Sequence, residues 1–237
     1  MRKRSNHICP AVKGFGGRLS QYHDAFDVVS FGHALFVLVA GATCLLFELP
    51  HWRFWQWGSW FVGPTSAAQR VIFGTSALYY CFDILVVLLT HAHYHRKEVA
   101  MLLHHVVCIT GLIGPVLTGQ DGTIILFGML VGECSNPPRA LYSIWARLGG
   151  TGNSKHSLFR FSCEDPSKRV KTAESLRLFY FVLFAMSRIF AAHYVAHVVL
   201  PFASLIMTKL AGIFLVIFSA ICIWDYAITS RSSSLLV

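Results

Sequence analysis

The run Val99-Ala-Met-Leu-Leu-His104-His105-Val-Val-Cys108-Ile-Thr-Gly-Leu-Ile-Gly-Pro-Val-Leu-Thr118 decides how this chain folds. An apolar stretch of about 20 residues is long enough to cross a bilayer as one helix. Near its start it carries two adjacent imidazoles. Ionisable groups at that depth are costly to desolvate, and their default reading is a functional site. Just upstream, His91-Ala-His-Tyr-His95 adds three more histidines.

Composition supports the membrane reading. Of 237 residues, 55% are hydrophobic and only 13% charged, about half the charge of a soluble domain. Mean hydropathy is +0.56. The formal charge is +9. In a soluble protein that balance would point to nucleic acid, but here the basic residues fall in loops, so no nucleic-acid partner is expected. The seven cysteines lie mostly in apolar runs and form no C-x-x-C, so neither a disulfide framework nor a zinc site is indicated. No apolar run closely follows the basic start Met1-Arg-Lys-Arg4, so a cleaved signal peptide is not expected.

Six apolar segments can be counted outward from the opening run, predicting an all-α polytopic membrane protein. They cover about 28–49, 71–90 (with Asp83), 99–118, 122–146, 176–200 (with Arg188, His193 and His197) and 202–228. The fourth is interrupted at Glu133-Cys-Ser-Asn-Pro-Pro-Arg139, because paired prolines cannot continue a helical ladder without a kink. The expected organisation is a basic cytoplasmic segment over 1–27, a transmembrane domain over 28–228 and a cytoplasmic tail over 229–237. Trp52 to Trp60 reads as an interfacial segment between the first two spans. Residues 149–175 read as a long, solvated cytoplasmic loop.

Charge orients the bundle. Fifteen Lys and Arg fall in the N-terminal segment, the second and fourth connections and the tail, whereas only Arg53 and Arg70 fall on the other side. Such a bias predicts that both termini are cytoplasmic. Depth then follows from the rise of about 1.5 Å per residue. Asp83 lies roughly 10 Å, and His104 and His105 roughly 8–9 Å, from the cytoplasmic ends of their helices. Consecutive helices with a short connection are neighbours, so Asp83 is expected to meet the His pair and fix one tautomer. Glu133 and Arg188 come to similar depth near the midplane, and an ion pair between them is expected. The break after Glu133 suggests a cavity, since freed carbonyls at membrane depth face protein or a cavity.

Three other readings of these residues carry less. Histidines within a bundle also serve as interhelical hydrogen-bonding glue. Two H-x-x-x-H pairs (His91/His95 and His193/His197) resemble the boxes of membrane desaturases. However, Met101 stands where a third box needs histidine, and the two pairs fall at opposite faces, so no metal is expected. Cys108 and Cys134 are poor nucleophiles in apolar surroundings or beside a carboxylate.

The ordered set Phe82-Asp83, Leu103-His104-His105-Val-Val and Val131-Gly-Glu133-Cys-Ser135-Asn-Pro137-Pro-Arg-Ala-Leu141 resembles the TLC-domain family, which includes the ceramide synthases and several smaller membrane proteins. The resemblance runs from about Val71 to Ile228, with Arg188 and His193-Tyr194 matching more loosely. It implies six helices around an acyl-chain tunnel in an endomembrane, the endoplasmic reticulum foremost. It further implies lipid handling, or alternatively acyl-CoA-dependent acyl transfer or an accessory role in trafficking. By this resemblance His104, His105 and Asp83 are the candidate catalytic residues, and Glu133, Arg188 and His193 the candidate substrate-binding ones. No cofactor is expected beyond acyl-CoA as a co-substrate, and the partners are membrane lipids and a second copy in a homodimer. The chain lacks the Asp-rich segment that follows the synthases' His pair, having Gly132-Glu133-Cys-Ser-Asn136 there.

Overall fold

A computed structural model describes residues 10–48, 61, 63–90, 96–150 and 166–234, and all regular structure among them is helical. The order is α1 (Pro10–Glu48), α2 (Ala67–Thr90), α3 (Arg96–Thr118), α4 (Gly122–Glu133), α5 (Asn136–Gly150) and α6 (Pro166–Tyr194). A π turn (Val195–Val199), a short α7 (Leu200–Phe202) and α8 (Ile206–Ser234) follow. The segments Asp27–Glu48, Ala67–Leu89, Val99–Thr118, Glu174–Phe202 and Ile206–Trp224 are each long and apolar enough to cross a membrane. Helices α4 and α5, of 12 and 15 residues, meet at the break after Glu133. The protein is a polytopic helical membrane bundle, and its outer surface is correspondingly greasy: Phe47, Leu78, Leu89 and Leu117 all stand exposed.

Three boundaries differ from the sequence expectation, the first being that α6 begins at Pro166, inside the stretch 149–175 read as a solvated loop. Helix α1 starts at Pro10, well inside the segment read as preceding the first span, and its apolar part begins at Asp27. Between the last two spans the helix continues past Leu200, and the chain turns only at Ala203, whose backbone is extended. Pro201 supplies no N–H to the preceding turn. The widened π turn just before it carries Val195 and Val199 against Gly212 of α8, where a Cβ would lie 3.3 Å from each valine.

The interruption of the fourth span falls where the prolines predict it. Helix α4 ends at Glu133, the turn at Cys134 and Ser135 follows, and α5 restarts at Asn136 with Pro137 and Pro138 in its first turn. Proline is tolerated there because the first N–H groups of a helix have no intrahelical acceptor.

The end of the bundle remote from Glu133 is tied by polar contacts. Ser66 and Gln69 form a reciprocal capping box at the start of α2: Gln69 N–H donates to Ser66 Oγ (3.1 Å), and Ser66 N–H donates to Gln69 Oε1 (3.2 Å). The Gln69 amide also donates to Glu48 of α1 (2.9 Å) and Thr123 of α4 (3.2 Å), while the Ser66 hydroxyl donates to Glu48. Gly119 ends α3 at φ 71°, a conformation glycine adopts without a Cβ penalty. Asp121, at φ 61°, accepts from the N–H groups of Ser204 and Leu205 at 2.8 Å each, capping the approach to α8.

Candidate functional site

Helices α3, α4, α6 and α8 line a partly open cavity of about 170 Å³, with Tyr80 of α2 and Asn136 of α5 also on its wall. Its long wall is apolar: Val107, Leu112, Ile124, Gly128, Val195, Val199 and Leu215 all face it. Polar groups gather at the end where α4 breaks, namely Tyr80, His104, Glu133, Asn136, Arg188 and Ser219. Thr208 and Ser219 both line the cavity and lie 11 positions apart on α8, so it extends roughly 16 Å along that helix.

The adjacent histidines have separated tasks. Successive residues on a helix point about 100° apart, so the two rings cannot share one environment. His105 turns toward α2, is 7% exposed, and brings Nδ1 to 2.9 Å from Oδ2 of Asp83, itself 2% exposed. The approach is a close electrostatic one without the alignment of a straight hydrogen bond. His104 turns into the cavity instead. Its ring stacks on Phe218 with centroids 4.9 Å apart and planes 11° apart, and it touches the Cys108 sulfur at 3.7 Å. The predicted Asp83–histidine contact therefore forms, but with the imidazole that does not line the cavity.

Glu133 is buried at the cavity's polar end. Tyr80 donates its hydroxyl to Oε1 (2.8 Å), and the Asn136 amide donates to Oε2 (2.6 Å). Both oxygens thus have partners, and the predicted Glu133–Arg188 ion pair is not formed. Arg188 donates instead to the Gly132 carbonyl at 3.4 Å and lies over the Phe184 ring, 4.7 Å from its centroid. Its Nε has no hydrogen-bond partner within the protein.

His193 does not join the site. It lies on the exposed side of α6, its ring 5.6 Å from that of His197. The cavity wall here runs through Arg188 and Ala191 of α6 and Val195 of the π turn, at intervals of three and four, and His193 falls off that stripe. The inward residue there is Tyr194, whose hydroxyl donates to the Ile124 carbonyl at 2.9 Å. His91, His93 and His95, the tryptophan-rich stretch 52–60 and residues 151–165 lie outside the described residues.

Sequence reasoning missed a second polar layer behind the site. Asp27, Ser30 and His33 of α1 are all buried. Ser143 of α5 donates to Asp27 (2.7 Å), Tyr79 donates to Ser30 (2.9 Å), and His33 stacks on Tyr79 at 3.9 Å. Tyr80 links the layers, packing edge-on to His33 and against His105. The spacing 27, 30, 33 is a one-face helical signal, legible once α1 is known to begin before Asp27.

No curated protein and no solved structure matches the chain significantly. A family profile described as the TLC domain matches residues 27–229. That range is wider than the resemblance read from the motifs, taking in the first span and its polar stripe. With most of its length matched, the chain belongs to the TLC-domain family.

Proposed function

We propose that this membrane protein handles lipid by binding a single acyl chain in the cavity, with the polar head held among Arg188, Glu133 and His104. The observation that carries this reading is the cavity's division into a long apolar wall and one polar end. Its shape favours one chain over two. A volume near 170 Å³ is close to that of an engineered cavity that accepts one benzene, yet here it is drawn out over roughly 16 Å. A narrow slot of this kind suits a single acyl chain. Arg188 lines the polar end and favours an anionic head, because guanidinium binds carboxylate or phosphate through paired N–H groups. By sequestering such chains the protein would alter membrane lipid composition. The charge bias supports cytoplasmic termini, and the family resemblance supports an endomembrane, the endoplasmic reticulum foremost.

The test is to purify the protein in detergent, identify co-purifying lipids by native mass spectrometry and titrate dodecanoate. Single-chain anionic lipids are expected, with Arg188→Ala binding roughly 10- to 100-fold more weakly, the loss of one charge-assisted interaction of about 1.5–3 kcal/mol. Diacyl lipid alone, or unchanged affinity in the variant, would overturn the reading.

A second reading is acyl transfer from acyl-CoA, supported by the cavity-facing position of His104. In this reading His104 attacks the thioester carbonyl, thiolate leaves as CoA, and an amine or hydroxyl acceptor takes the acyl group. Asp83 and His105 would hold α3 against α2 behind it. Incubation with acyl-CoA should then give an acyl adduct by intact mass that disappears in His104→Ala and survives in His105→Ala. Absence of any adduct or acceptor turnover leaves binding without chemistry.

A further inference from the structure

Two arginines stand at the polar end of the cavity, and neither forms an ion pair with a carboxylate of the described residues. Arg188 lines the cavity itself. Arg139 lies on α5 three positions after Asn136, a spacing that puts both side chains on one side of that helix. Asn136 lines the cavity, and α5 runs on from there toward Asp27 of α1, to which Ser143 donates. Arg139 therefore stands one turn outside the cavity's polar end, at its mouth. The ring of His104, which faces the cavity, lies within reach of the charge of both guanidinium groups.

The buried carboxylates of this region are engaged elsewhere. Asp83 faces His105, and the two oxygens of Glu133 accept from Tyr80 and Asn136. The Nε of each arginine is sealed inside the protein and is not what a ligand would meet. The terminal nitrogens differ. Those of Arg139 make no hydrogen bond and are not shut off from the surface, and those of Arg188 make one long bond, 3.4 Å to the Gly132 carbonyl. Unpaired cations at membrane depth are costly and mark ligand sites. One guanidinium satisfies a carboxylate, whose two oxygens match its paired N–H groups. A second accessible guanidinium calls for an anion with more oxygens and more charge, and a phosphomonoester supplies three acceptor oxygens and a charge of about −1.5 to −2.

We propose that Arg139 and Arg188 form a two-guanidinium phosphate site, and that the ligand is a single-chain lipid phosphomonoester with its chain in the cavity. Acyl-CoA suits this site less well, because its pantetheine arm sets the phosphates far from the thioester, whereas Arg139 stands only one turn outside the cavity. The inference rests on the acyl-binding reading above and adds to it the identity of the head.

The experiment titrates dodecyl phosphate, dodecanoate and inorganic phosphate into the full-length protein in a neutral detergent, by calorimetry. Wild type is expected to bind dodecyl phosphate about tenfold or more tightly than dodecanoate, the gain from one added charge-assisted contact, and inorganic phosphate more weakly than either. Arg139→Gln should weaken dodecyl phosphate roughly 10- to 100-fold and dodecanoate by less than about threefold. Arg139→Lys keeps the charge without the planar fork and should recover part of the loss. Equal wild-type affinities for the two lipids, or a preference that survives in Arg139→Gln, would overturn the phosphate site and leave acyl binding standing. Inorganic phosphate binding as tightly as dodecyl phosphate would reveal a free-anion site and overturn the lipid head. Failure of both lipids to bind wild type would overturn the acyl-binding reading and this inference together. The wild-type comparison decides the point even if the glutamine variant does not fold.

Discussion

Each residue of the His pair answers to a different neighbour. His105 is held by Asp83 between α2 and α3, whereas His104 faces the cavity with a phenylalanine behind it. Asp83→Asn should therefore act mainly on stability. It weakens a buried contact and is expected to cost on the order of 1–3 kcal/mol, read as a lower unfolding midpoint in detergent. Dodecanoate affinity should change by less than about threefold, because Asp83 does not line the cavity. A large affinity loss with unchanged stability would show that Asp83 acts on the ligand itself. The contact between Asp83 and the pair was legible from depth arithmetic alone. The assignment to His105 was not, because both rings have the same depth and only the facing of α3 separates them.

Among the elements, the break between α4 and α5 was the most legible, since two prolines and a carboxylate in an apolar run permit few alternatives. The loop Gly119–Asp121 was not read as important, yet it joins three helices. Thr65 N–H donates to the Gly119 carbonyl (2.8 Å), the Thr65 hydroxyl donates to Gln120 (3.1 Å), and Asp121 caps α8. Asp121→Ala should cost about 0.5–2 kcal/mol, the usual loss for a helix cap. The same variant should leave the Arg188 end of the cavity unaffected. Gly122→Ala attacks the adjacent joint. A Cβ there would collide with Gln69 Oε1 and approach Thr65 Oγ1 to 2.8 Å, displacing the capping box of α2. Overpacking of this kind typically costs about 1–3 kcal/mol. Thermal unfolding monitored by tryptophan fluorescence measures both variants, and a neutral Gly122→Ala would mean that the joint yields freely.

On the scale of the whole molecule, charge distribution makes an orientation prediction independent of any site. Glycosylation acceptors introduced near Gly152 should remain unmodified in a microsomal translocation assay, while acceptors near Arg70 should be reached if placed far enough from the bilayer. Modification near Gly152 would invert the topology. The amino-acid sequence by itself determined the helical membrane class, the run of apolar segments, the broken crossing and the family, because length, hydropathy and proline act locally along the chain. Only the tertiary structure decided which polar groups meet. Glu133 was expected to pair with Arg188, since an unpaired charge in a membrane is costly, but Tyr80 and Asn136 satisfy it instead. His193 lies at a plausible depth but on the outer side of α6, and Thr208, in the sixth apolar segment, lines the cavity though nothing in the sequence singled it out. Depth along a helix is written in residue number at about 1.5 Å each. The direction a side chain faces depends on how the helices rotate against one another, and that is settled by packing between segments distant in the chain.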